Sequence, residues 1–476
     1  MPALRKKRIN EFGSLAFRLI FFLSGIFLLT WPAIFQNAPT IVFDSPDYLR
    51  SAMIPNSSSF HGIFYPRWLL FITAGGRLNI FFVPISQAIL CGSILYIFFK
   101  RYVGGPFRDV KILIAIACLS FGTSLSWFNS QLSPDFLSLI IPVALSTIIF
   151  HWHSLSKIER GWITISLIFS VEAHHSNFPI FILLLILSAS YFWLTQKQKK
   201  NTLHSRPVIA ILICLVAIQT INFSLNNDRS IERGPVYLLS RMIYSGRISE
   251  TLAERCRIKH SALCDHQEVL KDLRKNPDDY LWNVESPLKM LGGLREPKMI
   301  SEATDLIFHS FLHHPINNIS DSIKLTVTQL LNFRTQTSEY CPNREGKMNT
   351  KIDRLLPKIV NGLLPKIQTH RPLIHAGIVK AIFDDACPNP FFKSLSPLQV
   401  NLGKILLLFL FIAGITQFAL KSFNPLASFF IICLISNAAV CAFLSGSFDR
   451  YQARVMPLVG IFAIVFLIEI AQIRKK

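Results

Sequence analysis

Five carboxylates carry the chemistry this chain could perform: Asp44, Asp47, Asp135, Glu172 and Asp449. Asp44 and Asp47 stand in FDSPDYL, Asp135 in SQLSPDF, Glu172 in VEAHHSN and Asp449 in SGSFDRYQARVMP. A positioned carboxylate can take the proton of an attacking hydroxyl, worth about 10²–10⁴ in rate. Arg67 and Arg450 offer planar, always-charged forks suited to phosphate oxygens. His174 and His175 add further polar groups beside Glu172. Each residue also has a plainer reading. Asp-Ser-Pro-Asp is turn and N-cap chemistry, and Asp135 after Pro134 is an acid at a helix start. Asp449 and Arg450 can form a local ion pair, with Arg454 as a boundary residue. Glu172 and His175 share a face if helical, whereas adjacent histidines on a helix diverge by about 100°, so at most one joins a given site.

The elements that must position these groups are apolar helices. The chain has 476 residues, 51% hydrophobic and only 16% charged, with 40 Phe and a mean hydropathy of +0.40. Soluble domains carry about 25% charged residues, so a soluble enzyme, a secreted disulfide scaffold and a disordered chain are excluded. Apolar segments lie near 16–35, 79–99, 112–128, 134–151, 161–172, 178–195, 207–225, 403–420, 425–445 and 454–472. About 20 apolar residues cross a bilayer, which predicts a polytopic α-helical membrane protein of about ten helices. The segment at 161–172 is too short to cross alone. A basic start followed by an apolar run resembles a signal peptide, but no small-x-small cleavage site follows Trp31-Pro32, so a retained first helix is expected.

The net charge of +21 orients the chain. With the N-terminus cytoplasmic, the stretches on that side hold 18 Lys/Arg, against five in the short loops opposite: Arg50, Arg67, Arg77, Arg450 and Arg454. That is the asymmetry of the positive-inside rule. It predicts both termini in the cytoplasm and all five acids at the outer face. Nucleic acid is not an expected partner, because the surplus sits largely in cytoplasmic anchors.

The expected organisation has three parts. Residues 1–225 form a transmembrane module of about seven helices, with a first outer loop at 37–78 and an interfacial helix around Tyr65, Arg67 and Trp68. Residues 226–401 form an outer domain, mostly helical, as at 300–312 and 319–333. Residues 402–476 return about three helices. The outer domain holds Cys256, Cys264, Cys341 and Cys387. An even set outside the membrane suggests disulfides, most simply 256–264 and 341–387.

An acid in the first outer loop, an interfacial helix after it, and an acid in the next outer loop together resemble the GT-C membrane glycosyltransferases. The final Arg450-Tyr451 loop, leading into a helix with Pro457, fits the same pattern. DSPDYL is similar to the D-S-x-x-Y form of the first-loop motif in bacterial members. FYPRWLL resembles their R-x-P-x-Y-P-L-like segment loosely, with a different order, which leaves the role of Arg67 open. The outer domain resembles a bacterial family of such enzymes through LLSRMIYSGRISETLAERCRIKHSALC, DDYLWNVESPLKMLGG and EATDLIFHSFLHHPINNISDSIKLTVTQLLNF.

The resemblance implies a polyprenyl-phosphate sugar donor and an envelope lipid or glycan acceptor at the periplasmic face of a bacterial inner membrane. It implies Asp44 as general base, with Asp47 in reserve, and Asp135 as the second-loop acid that orients the acceptor or holds a divalent cation; the spacing of Glu172 to His175 makes Glu172 a second candidate ligand for such a cation. Arg450, Tyr451 and one of His174 or His175 would meet the leaving phosphate. One carboxylate and direct displacement imply inversion.

Two alternatives stay open. An envelope oligosaccharide ligase or polymerase would consume a lipid-diphosphate glycan. A lipid-linked glycan transporter or flippase would show repeated halves and charges near the midplane, whereas the acids here gather at one face. No P-loop, GxGxxG strand-turn-helix or HExxH is present.

Overall fold

Apolar chain in a medium without water must satisfy its backbone polar groups internally, and a helix does so within one segment. The described chain follows that rule. The computed structural model describes residues 2–54, 62–195, 205–226, 233–334, 390–419 and 425–473, apart from 259, 274–277, 284, 295 and 445. The first part runs α1 (Pro2–Phe35), α2 (Ser45–Met53), α3 (Phe64–Ile72), α4 (Phe82–Phe99), α5 (Arg108–Gly122), α6 (Leu125–Ser130) and α7 (Leu137–His151). It continues through α8 (Lys157–Glu172), α9 (Asn177–Thr195) and α10 (Ser205–Asn226). The intervening part holds α11 (Gly234–Tyr244), α12 (Ile248–Ile258), α13 (Gln267–Asp272), α14 (Asp279–Trp282), α15 (Pro287–Met290), α16 (Pro297–His313) and α17 (Pro315–Leu331). The last part is α18 (Pro390–Ala419), α19 (Pro425–Leu444), α20 (Asp449–Ala453) and α21 (Pro457–Ile473). No strand occurs among the described residues; one isolated parallel bridge joins Thr40 and Gln131.

This is the build of an α-helical membrane protein. Among the described residues, five helices are long and apolar enough to cross a membrane: 82–99, 134–154, 394–416, 425–444 and 449–473. The short segment expected at 161–172 is α8, which turns by 119° into α9; the pair passes the same test only as one bent unit, raising the number to six. Leu19–Phe35 and Pro207–Ile221 are shorter apolar helices. Where they are described, the ten apolar segments of the sequence are helical, and among the described residues five of the helices, or six with the bent pair, pass as membrane-length.

Local sequence explains the ends. Proline opens α16, α17, α19 and α21, where its missing N–H costs nothing. At α8 the Ser156 hydroxyl accepts from Glu159 N (3.2 Å) while the Glu159 carboxylate accepts from Ser156 N (2.8 Å), a capping box. Glu159 also meets Lys100 (2.9 Å) and Arg101 (2.8 Å), tying that loop to the basic residues after α4. Within the bundle α7 is the central element, packed against α4, α8, α10, α19 and α21.

The two largest hydrophobic cores among the described residues are separate. One fills the helical bundle and includes Phe333. The other lies within the intervening part, around Val236, Leu252, Leu270, Tyr280, Met299 and Leu306. The intervening part is helical, as expected, and Cys256 and Cys264 form a disulfide across a separation of 8 residues. Cys341 and Cys387 lie outside the described residues. The expected boundary at 401/402 falls inside α18, which starts at Pro390.

Peptide mapping without reductant should recover 256 and 264 as one linked pair, and Cys256→Ser should cost the intervening domain about 2–3 kcal/mol. Alkylation of both thiols in the unreduced protein would contradict this.

Candidate functional site

The site is built where irregular segments from both ends of the sequence meet one end of the bundle. Buried backbone outside helices must still find partners, and the α1–α2 loop finds them on the segment before α7. Thr40 N donates to Ser130 O (2.9 Å) and Leu132 N to Thr40 O (2.9 Å). The Ser45 hydroxyl donates to Leu132 O (2.8 Å) and accepts from Val42 N (2.9 Å). The Gln87 amide of α4 donates to Asn129 O (2.8 Å) and Gln131 O (2.9 Å), and its oxygen accepts from the Tyr65 hydroxyl (2.8 Å). Ser45 of DSPDYL thus pins the first acidic loop to the second.

That pinning brings together two acid–arginine pairs of different character. Asp44 precedes the first turn of α2 and pairs with Arg450; both side chains keep slight access to solvent, 11% and 12%. Asp135 is sealed. One oxygen accepts from Arg454 Nη1 (2.8 Å), the other from the Ser133 hydroxyl (2.9 Å), and the two charged side chains are 2% and 0% exposed. The Arg454 guanidinium also reaches Asn437 Oδ1 of α19 (3.1 and 3.3 Å), Ser176 Oγ (3.3 Å) and Cys441 Sγ (3.1 Å). Tyr451 lies between the arginines, its ring centroid 5.0 Å from Arg450 Cζ and 5.5 Å from Arg454 Cζ, a cation–π geometry. Arg450, Arg454 and His174 all act electrostatically on Asp135.

Tyr48, the tyrosine of DSPDYL, is fully buried beside both pairs and feels Asp44, Asp135 and Arg450. Its ring sits edge-on to Tyr65 at 5.0 Å. Burial, followed by the nearby carboxylates, holds its phenol well above the ordinary value. It therefore stays protonated at neutral pH, a hydrogen-bond donor and not a base. Of Tyr48, Asp44 and Asp135, the two carboxylates are the proton acceptors.

The remaining sequence-predicted residues divide. The His174 Nδ1 accepts from Ser176 N (3.1 Å) and lies 2.8 Å from Ser176 Oγ, joining the Arg454 network. His175 packs on Gly62, where a Cβ would come within 3.2 Å of the ring; Gly62 also has φ +96°. The pair diverges because 173–176 is a turn between α8 and α9. Glu172 ends α8, is 6% exposed, and accepts from Gln219 of α10 (2.6 Å). Asp135 and Glu172 are thus turned to different partners, and no group of three His, Cys, Asp or Glu arranged for a metal is found among the described residues. Arg67 is exposed on α3. Asp47 is half-buried and interacts electrostatically with Tyr237 of α11. Asp449 accepts from Arg334 N (2.9 Å) and holds the chain after α17.

Residues that sequence reasoning missed come from tertiary packing. Arg454 is a boundary residue by sequence alone; its spacing of four from Arg450, inside an apolar span, is the signal available there. Asn437, an amide within apolar α19, is another. No local signal marked α11 as a roof, yet Tyr237 interacts with Arg233, Asp44, Asp47 and Tyr451. Burial pushes the Tyr237 phenol up to about 12. Arg233 and Arg241 are 6% and 3% exposed; Arg241 donates to Asp278 (3.0 Å) and lies on Gly446, whose φ is +122°.

Comparison of the chain with protein-family models, curated proteins and solved structures finds no match. Fold and site together define an α-helical chain with membrane-length helices and a partly enclosed acid–arginine cluster at one end.

Arg454→Met would leave the Asp135 charge buried and alone, which should cost about 3–5 kcal/mol. Adding Asp135→Asn should recover much of that loss, since the orphaned charge is removed. Thermal unfolding in detergent micelles measures both; an unchanged midpoint for the single variant would show that the pair does not hold the site.

Proposed function

We propose that the protein is an integral-membrane glycosyltransferase of the GT-C kind. In this reading it moves one sugar from a polyprenyl-phosphate donor to an extracytoplasmic envelope lipid or glycan, at the periplasmic face of a bacterial inner membrane. The ten-helix topology with both termini cytoplasmic belongs to the same reading and rests on the distribution of Lys and Arg.

The observation that carries it is the Asp44–Arg450 pair, set next to the sealed Asp135–Arg454 pair. A donor phosphate competes with Asp44 for the Arg450 fork. When the phosphate takes the arginine, the Asp44 carboxylate is released at the moment an acceptor hydroxyl needs a base. The acceptor oxygen then attacks the anomeric carbon and its proton passes to Asp44. The bond from that carbon to the phosphate oxygen breaks, and its electron pair leaves with polyprenyl phosphate, whose charge Arg450 meets. Displacement from the opposite side inverts the anomeric centre. Tyr48, kept neutral, serves as a donor near the two carboxylates. Asp135, saturated by Arg454 and Ser133, has the role of fixing the site, with Asp47 as the reserve base.

The reading takes a monophosphate donor over the diphosphate that an oligosaccharide ligase would use, because of the two arginines of the last loop Arg454 is already committed to four side chains. A divalent cation remains part of the reading only as a companion of the donor phosphate.

The test is transfer by the purified full chain from radiolabelled polyprenyl-monophosphate sugars, with a lipid-diphosphate glycan alongside, to native envelope lipid. Asp44→Asn should lower turnover by about 10²–10⁴-fold with the fold intact. Arg450→Lys keeps charge but loses the fork, and should cost about 1.5–3 kcal/mol of transition-state stabilisation. Full activity in Asp44→Asn would move the base to Asp47; consumption of the diphosphate glycan alone would favour the ligase.

A further inference from the structure

Helix α17 is built the opposite way from a helix in water. Its covered side carries its buried polar residues, beside Leu330 packed on the bundle core. Asn318 and Gln329 are 4% and 0% exposed; Asn318 donates to Ser310 O (2.9 Å) and Gln329 to Phe448 O (3.0 Å). Asp321, on the same side, forms a two-pronged pair with Arg247. Its open side is aliphatic. Ile316, Ile319, Ile323, Val327 and Leu331 recur every three or four residues and are 80%, 54%, 59%, 49% and 59% exposed. Lys324 flanks the stripe with a long stem that can carry its ammonium to a boundary.

The surroundings of α17 say what covers that stripe. It packs along α19, a helix of membrane length and hydropathy. The chain leaves it through Phe333, which belongs to the core of the bundle and lies on Gly403 of α18. The open residues of α18 are of the same kind: Ile405, Leu408, Ile412 and Ile415 are 52–67% exposed. Helix α17 is thus seated against a helix of membrane length and runs at its C-terminal end into the bundle core, while its stripe takes no part in the core of the intervening domain. Polar-inward, apolar-outward packing is the stable arrangement when the solvent is hydrocarbon, whereas in water a contiguous aliphatic stripe of this extent is an unfilled interaction surface.

The geometry points to α17 as a membrane-seated helix whose aliphatic stripe takes the acyl chains of the bilayer leaflet at the site end of the bundle. At 17 residues and about 1.5 Å per residue it is too short and too polar on one side to be a span, so it lies along the boundary. The intervening domain is then anchored in the leaflet by its last described helix, and Gln329 and Arg334 hold the loop 448–449 against that anchor. This inference does not depend on the transferase reading.

Ile323→Trp in the full chain, reconstituted in phosphatidylcholine bilayers, tests it by difference from the unsubstituted protein. The added fluorescence should be lost when the acyl chains are brominated and retained against acrylamide in the water. The stronger quencher decides. Acrylamide as the stronger quencher would place the stripe in water, and quenching by neither would mean that protein covers it; both results overturn the inference. Val327→Trp gives the same reading from the next turn if the first variant does not fold.

Discussion

A fully buried carboxylate against a fully buried guanidinium is the constraint around which the site end of this protein is arranged. Neither Asp135 nor Arg454 can be enclosed alone, because the loss of hydration far exceeds what an unpartnered charge recovers. The pair therefore has to be completed by hydrogen bonds from every side. Ser133 comes from the segment before α7, Ser176 from the α8–α9 turn, and Asn437 and Cys441 from α19. Residues remote in sequence are drawn to one point by a single electrostatic requirement. The irregular loops between them are sealed by backbone pairing at Thr40 and Gln131 and by the Gln87 amide.

The second pair gains its character by contrast. Asp44 and Arg450 hold one another in a position with slight access to solvent, and Tyr451 presents its ring to both arginines. One pair is sealed and the other keeps slight access to solvent; in the proposed function an incoming anion competes for the second. In the proposed reaction this separates the group that shapes the site from the group that does chemistry. The loop carrying Arg450 is itself restrained from above, by Arg241 on Gly446, Gln329 on Phe448 O and Arg334 N on Asp449. The intervening domain thus has its own core but shares the geometry of the site.

That domain also shows how solvent decides a helix's orientation. Helices α11–α16 bury apolar residues around one centre, the usual response to water. Helix α17 reverses the pattern, with Asn318 and Gln329 covered and Ile316 and Ile323 open. A sequence with the period of an amphipathic helix does not say which face turns inward. Only the neighbour it packs against, here α19, answers that.

Much of the fold was legible because its cause is local. Runs of apolar residues must be helical where backbone groups have no water to bind, and the ten apolar segments are helices where they are described. Pro287, Pro297 and Pro315 mark helix starts, and the short separation of Cys256 and Cys264 permits the disulfide found there. The acids were legible as a set, because charged residues are rare in such a chain. Their separate fates were not. Nothing in SQLSPDF distinguishes a solvated helix-start acid from Asp135 sealed by an arginine 319 residues away. Nothing in VEAHHSN sends Glu172 to Gln219, His174 to Ser176 and His175 to Gly62. The sequence by itself determined the helices and which residues are chemically capable. The tertiary structure decided which charges are paired and sealed and which keep access to solvent, because Coulomb energy and desolvation depend on neighbours in space that the order of residues does not contain.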